Sequence, residues 1–144
     1  MLIGEYRHTI DNKNRVALPA KFRKEIGKKI VITRGIDNCL LIYTLNKWQQ
    51  VAEDLSAPTV GGADVRNFNR YLLGGAVETD VDSIGRILLP EFLRDYAGLK
   101  TKVVIAGLHS RVEIWDENKW KEVTSKIEKE AENLAEKLSE IGMI

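Results

Sequence analysis

One segment of this chain occurs twice, and that repetition constrains its fold more than any other feature. Asp11-Asn-Lys-Asn-Arg15-Val-Ala-Leu-Pro19 returns as Asp82-Ser-Ile-Gly-Arg86-Ile-Leu-Leu-Pro90, about 71 residues later. The match extends outward: Gly4 corresponds to Gly75, Arg23 to Arg94 and Gly27 to Gly98. After a one-residue slip, Gly35 corresponds to Gly107, Ile42 to Ile114, and Asn46-Lys47-Trp48 to Asn118-Lys119-Trp120. Two copies of one supersecondary unit imply a pseudo-two-fold molecule, so any surface one unit presents is presented twice.

Each copy reads as strand, turn, strand, short helix, strand, turn, strand, helix. In the first, Tyr6–Ile10 is a β-prone run ending at Asp11, and Asn12-Lys13-Asn14 is turn chemistry. Arg15–Leu18 alternates polar and apolar like a half-buried strand, and Pro19 suits the first turn of a helix through about Gly27. Lys29–Thr33 and Leu40–Tyr43 are expected to form a hairpin across Gly35-Ile-Asp-Asn38. Leu45–Leu55 is expected to be a helix with Leu45, Trp48 and Ala52 on one face. The second copy repeats this with Val77–Val81, Arg86–Leu89, Glu91–Tyr96, Val103–Gly107 and Val112–Trp115. Between the copies, Ser56–Gly62 reads as a loop and Ala63–Leu73 as a helix. From Glu117 to Ile141, Trp120, Val123, Ile127, Ala131, Leu134, Leu138 and Ile141 form one apolar stripe at helical spacing. Such a helix is about 37 Å long, and its stripe packs either on its own domain or on a neighbouring subunit.

The 144 residues suffice for one ordinary domain or two small units sharing a core. The longest apolar runs are far shorter than a membrane span, and the N-terminus lacks the basic and apolar regions of a signal peptide. The single Cys39 excludes an internal disulfide and reads as a small buried hydrophobe, so cytoplasmic residence is expected. The formal net charge of +1 is uninformative, but its distribution is not. Residues 1–34 carry nine Lys/Arg against three acids, whereas residues 113–144 carry five Lys against nine acids. A basic face and an acidic face follow. No nucleophile–base set, phosphate loop or metal-ligand cluster stands out. His8 and His109 occupy non-equivalent positions and read as surface residues, and the equivalent Trp48 and Trp120 read as core anchors. No enzyme and no cofactor are expected.

The sharpest chemistry lies in the duplicated Asp-x-x-x-Arg turn. Asp11 and Arg15 are expected to face each other across a tight hairpin, as are Asp82 and Arg86. The carboxylates suit bonding to the turn amides. An exposed arginine beside a turn has a planar fork that binds phosphate, or the O6/N7 edge of guanine, bidentately. The aspartate would hold that fork in one orientation, and Lys13, Asn14 and Ser83 add donors around it. One such loop binds weakly; repeated loops at fixed spacing gain affinity by avidity.

This double motif, each copy running into Leu-Pro, resembles the MraZ family of bacterial transcriptional regulators of the division and cell-wall gene cluster. The resemblance extends through Thr33-Arg-Gly-Ile-Asp-Asn-Cys-Leu-Leu-Ile-Tyr43, Leu72-Leu-Gly-Gly-Ala76 and Glu113-Ile-Trp115, and covers essentially the whole chain. It implies an α+β fold: two tandem AbrB-like swapped-hairpin units in a pseudo-two-fold barrel, with peripheral helices and a long C-terminal helix. The units would span residues 5–48 and 76–120, with a helical linker over 49–75 and the C-terminal helix over 121–144. It also implies a nucleoid-associated, ring-like homo-oligomer binding direct repeats in double-stranded promoter DNA, with no membrane and no small-molecule substrate. Arg15 and Arg86 would contact DNA, with Lys13, Asn14 and Ser83 as loop neighbours and Asp11 and Asp82 orienting the arginines. The family pattern places Gly before the first arginine, where this chain has Asn14; Gly85 keeps the second copy on pattern. Asn accepts positive φ, so the turn survives. Ile84 stands where the first copy has Lys13, so the two loops need not bind equally. The alternative function is an oligomeric scaffold whose basic face docks an acidic protein.

Overall fold

The computed structural model describes residues 1–57 and 60–144. The first unit comprises β1 (Leu2–Thr9), β2 (Arg15–Ala17), α1 (Ala20–Ile26), β3 (Lys29–Arg34), β4 (Leu40–Thr44) and α2 (Leu45–Ser56). After α3 (Gly62–Leu72), the second repeats the order with β5 (Val77–Asp80), β6 (Arg86–Leu88), α4 (Glu91–Ala97), β7 (Lys102–His109), β8 (Val112–Asp116) and α5 (Glu117–Glu140). The fold is α+β: two similar β-units, peripheral helices and a long C-terminal helix. Of the loop expected over Ser56–Gly62, Pro58 and Thr59 lie outside the described residues.

The two units interleave. Six strands form an antiparallel sheet in the order β1-β7-β8-β4-β3-β5, and β2 and β6 form a separate two-stranded ribbon. The first strand of each unit therefore pairs with the third strand of the other: β1 with β7 and β5 with β3. In the ribbon, Val16 stands opposite Ile87, its counterpart in the repeat.

The expected hairpin between the first two strands of each unit does not form. β1 and β2 belong to different sheets, and the Asp11–Arg15 turn connects them instead of closing a ladder. The physical reason is burial. Val16 and Ile87 are fully buried in the ribbon's inner face, and Leu18 and Leu89 follow them into the same core. Burying an aliphatic side chain of this size is worth about 1.5–3 kcal/mol, which draws β2 and β6 across the sheet.

β1 also begins earlier than the expected Tyr6, because Leu2 through Thr9 pair along β7. Gly4 faces Gly107 there, and a Cβ on Gly107 would lie 2.6 Å from the carbonyl carbon of Leu2. Glycine breaks the β-prone pattern locally, yet permits this close approach.

Side-chain alternation divides the core in two. Ile30, Ile32, Leu40, Ile42, Val103, Ile105, Val112 and Ile114 face the ribbon together with Phe22 and Leu93 from α1 and α4. Leu41, Tyr43 and Trp115 face the opposite layer, where Leu72, Trp48, Val51, Leu55, Trp120 and Val123 cover them. Both tryptophans thus anchor packing, and Cys39 is buried among them, its thiol pushed up to about 12 chiefly by burial. α2 packs inward through Trp48, Val51 and Leu55; of the face that Leu45, Trp48 and Ala52 share, Leu45 is exposed at the helix start, where Thr44 caps it. In α5 the stripe divides. Trp120 and Val123 pack on the domain, whereas Ile127, Leu134, Leu138 and Ile141 are exposed.

Candidate nucleic-acid interface

The two Asp-x-x-x-Arg segments fold into the same turn. In the first, the Asp11 amide donates to Arg15 O at 2.9 Å and the Asn14 amide donates to Asp11 O at 3.0 Å. Asp11 Oδ1 accepts from the Lys13 and Arg15 amides, both at 2.9 Å, and Oδ2 accepts from Arg15 Nε at 3.0 Å. In the second, Asp82 N to Arg86 O and Gly85 N to Asp82 O measure 2.9 and 3.0 Å. Asp82 Oδ1 accepts from Ile84 N at 3.1 Å and Arg86 N at 2.8 Å, and Oδ2 accepts from Arg86 Nε at 2.8 Å. The residue before each arginine takes the left-handed conformation this turn demands: Asn14 at φ 60° and Gly85 at φ 84°. Asparagine accommodates that backbone, so the departure at position 14 leaves the turn intact.

These bonds set the carboxylates' acidity. Asp11 is held below its ordinary value chiefly by the Arg15 amide; burial opposes this, and the Lys13 amide and the Arg15 guanidinium add to it. Asp82 is lowered in the same way, first by the Arg86 amide. Both are therefore ionised at neutral pH and keep their arginines oriented.

The ribbon brings the two motifs together. Arg15 pairs with Leu88 and Ala17 with Arg86, while Val16 and Ile87 alternate inward. Arg15 and Arg86 consequently lie on one outer face. Arg86 Nη1 also comes within 3.8 Å of Asp11 Oδ2, linking the loops. Each arginine side chain is 29% exposed, less open than expected, because its Nε is turned back onto the aspartate. The terminal Nη groups carry the remaining four donors of each fork. Lys13 and Ser83 are exposed beside them, and Asn14 is half-buried.

Each turn is also tied to the opposite unit. Leu18 N donates to Gly85 O at 2.8 Å, and Leu89 N donates to Asn14 O at 2.9 Å. Arg23 Nε donates to Leu18 O and Arg94 Nε to Leu89 O, at 3.2 and 3.0 Å. Arg23 lies directly against the second turn: a Cβ at Gly85 would fall 2.1 Å from Arg23 Nε. A side chain at Gly85 would have to push the Arg23 guanidinium aside as well as hold φ 84°. With Lys28 and Lys29, Arg23 lines an open cleft of about 600 Å³ beside Asp82 and Ser83. The sequence shows Arg23 and Arg94 as repeat equivalents, but gives no sign that each serves a loop. That placement follows from the interleaved pairing.

Among the described residues, no three His, Cys, Asp or Glu side chains gather to hold a metal ion, and no helix is long and apolar enough to cross a membrane.

Comparison with known proteins matches the family described as "MraZ protein, putative antitoxin-like" over residues 1–70 and 72–140. A protein of Caldicellulosiruptor saccharolyticus named "Transcriptional regulator MraZ" is 45% identical over 143 residues, covering 99% of this chain and all of its own length. One of the same name from Caldanaerobacter subterraneus subsp. tengcongensis is 44% identical with the same coverage. Another, from Natranaerobius thermophilus, is 46% identical over 138 residues, 96% of each chain.

Proposed function

Because the chain belongs to the MraZ family, we propose that it is a sequence-specific DNA-binding transcriptional regulator of the bacterial division and cell-wall gene cluster, reading promoter direct repeats through its two Asp-x-x-x-Arg turns. Its relatives are named as regulators, not as enzymes. One observation carries the reading: two aspartate-anchored arginines share the outer face of a two-stranded ribbon. The major groove admits such a ribbon, and arginine Nη groups match phosphate oxygens or the guanine edge. Arg15 and Arg86 make those contacts, Lys13, Asn14 and Ser83 flank them, and Asp11 and Asp82 hold the forks. The crossed strand pairing supports a pseudo-two-fold barrel of two AbrB-like swapped-hairpin units, over residues 5–48 and 76–120, with a helical linker over 49–75 and the final helix from 121 to 144.

The chain works as a ring-like homo-oligomer in the cytoplasm, at the nucleoid. The exposed stripe of Ile127, Leu134, Leu138 and Ile141 on α5 supports contact with a second copy. Ile127→Asp with Leu134→Asp is expected to reduce the assembly in sedimentation without lowering the monomer's helix content; an unchanged assembly removes the tail from the contact.

The cationic cleft lined by Arg23, Lys28 and Lys29 favours a second reading, an oligomeric scaffold whose basic face docks an acidic protein. Fluorescence anisotropy with a duplex from upstream of the protein's own gene, at several salt concentrations, separates the two. Phosphate contacts make log K fall with log salt by roughly 0.9 per phosphate neutralised. A shallow slope with no preference over scrambled DNA refutes the DNA reading.

A further inference from the structure

We propose that Ile84 is a specificity-determining residue, its side chain meeting the 5-methyl group of a thymine in the major groove. The second loop thereby reads a base feature that the first does not. This rests on the DNA reading above and goes beyond it.

The argument begins with the shared frame. Lys13 and Ile84 occupy the same place in the two turns, each amide donating to Oδ1 of its aspartate, at 2.9 and 3.1 Å. Their backbones are therefore held alike, and only the side chains differ. Ile84 is 54% exposed and belongs to neither buried cluster. Its loop neighbours Ser83, Gly85 and Arg86 carry no apolar side chain. Lying outside both clusters, this side chain adds little to the core and is open to what approaches from outside.

In the major groove the thymine methyl is the distinctive apolar group among base edges otherwise read by hydrogen bonds. A β-branched side chain suits such a contact, because its restricted χ1 leaves little freedom to lose on binding. Lysine at this position would keep its ammonium in water or on a phosphate, and its long stem has more freedom to lose on fixing a methyl contact. Arg86, two residues on, supplies the polar half of the recognition from its Nη groups. Leu88, also exposed on the outer face of the ribbon, is the control position for the same chemistry.

The test uses the full-length protein and the upstream duplex, synthesised once with thymidine and once with deoxyuridine throughout. Deoxyuridine keeps the pairing and removes only the methyl groups. Wild-type protein is expected to bind the deoxyuridine duplex about fourfold more weakly per contacted methyl. In Ile84→Ala and Ile84→Lys that ratio falls to near one, while Lys13→Ala keeps it. Melting temperatures of the variants control for folding. A ratio unchanged in Ile84→Ala, or abolished only by Leu88→Ala, overturns the assignment. Wild-type binding with no methyl dependence overturns it while leaving the DNA reading standing; no binding to either duplex overturns both.

Discussion

The turn at Asp11–Arg15 and the turn at Asp82–Arg86 share five hydrogen bonds, bond for bond, yet differ at the side chains those bonds do not use. Aspartate and arginine fix the frame through backbone amides and one Nε contact. Position 13 against 84, and 14 against 85, are then free to carry different chemistry. The second turn is the more confined, since Arg23 lies against Gly85. The first is the more cationic, since Lys13 is exposed at its apex. Duplication has preserved how the loops are held and let what they present diverge.

The most severe way to break this comparison is to remove both forks. A good bidentate contact is worth about 1–3 kcal/mol, so Arg15→Ala with Arg86→Ala is expected to weaken DNA binding by about a hundredfold or more. The melting temperature should fall by only a few degrees, because each fork gives up a single half-buried, partly screened ion pair. Titration of the single variants by anisotropy then ranks the loops; a single variant as weak as the double one means that only its loop reads DNA.

Exchanging the left-handed residues comes next. Gly85→Asn places a Cβ against the Arg23 guanidinium at φ 84° and is expected to lower unfolding free energy by about 1–3 kcal/mol. The reciprocal Asn14→Gly should stay within about 0.5 kcal/mol. Chemical denaturation of the two variants measures the difference in confinement directly, and equal losses would erase it.

A smaller effect separates the charges. Lys13→Ala should make the salt slope of DNA binding shallower by about 0.9 for each loop engaged, and Ile84→Lys steeper by a similar amount. Slopes that ignore both changes mean these apices do not meet phosphate.

Smallest is the response to acid. Asp11 and Asp82 are held below the ordinary 3.8 by the turn amides and their arginines. A carboxylate lowered by folding contributes stability that is complete above its unfolded value and is lost as pH falls through the lowered one. The loops' part in stability should therefore be flat from pH 8 to pH 5 and decline only below the ordinary carboxylate value. Asp11→Asn with Asp82→Asn should flatten that acid limb in a thermal-melt series, each aspartate supplying a similar share.

The order of elements was readable because turn residues and alternation are local: Gly35–Asn38 closes β3 onto β4 as its composition suggests, with Gly35 N bonded to Cys39 O at 2.7 Å. Partnership between strands was not, because β1 finds β7 only once burial of Val16, Ile87 and the sheet face has been decided globally. For the same reason the motif announced its chemistry but not its geometry. Arg15 and Arg86 looked like two separate hairpin residues, and only the β2–β6 ribbon sets them on one face. Arg23 carried no signal of its role, since the loop it braces lies in the other half of the chain.

The crossed pairing of β1 also imposes a timetable on synthesis. Leu2 leaves the ribosome more than a hundred residues before its partner His109 is made. At roughly 5–20 residues per second, the first strand waits on the order of 5–20 s for the segment that will hold it. Throughout that interval β1 has one edge of backbone donors and acceptors meant for β7 and nothing to bond them to. Half of this protein is not a smaller protein; its first strand gains its partner only once β7 has been made.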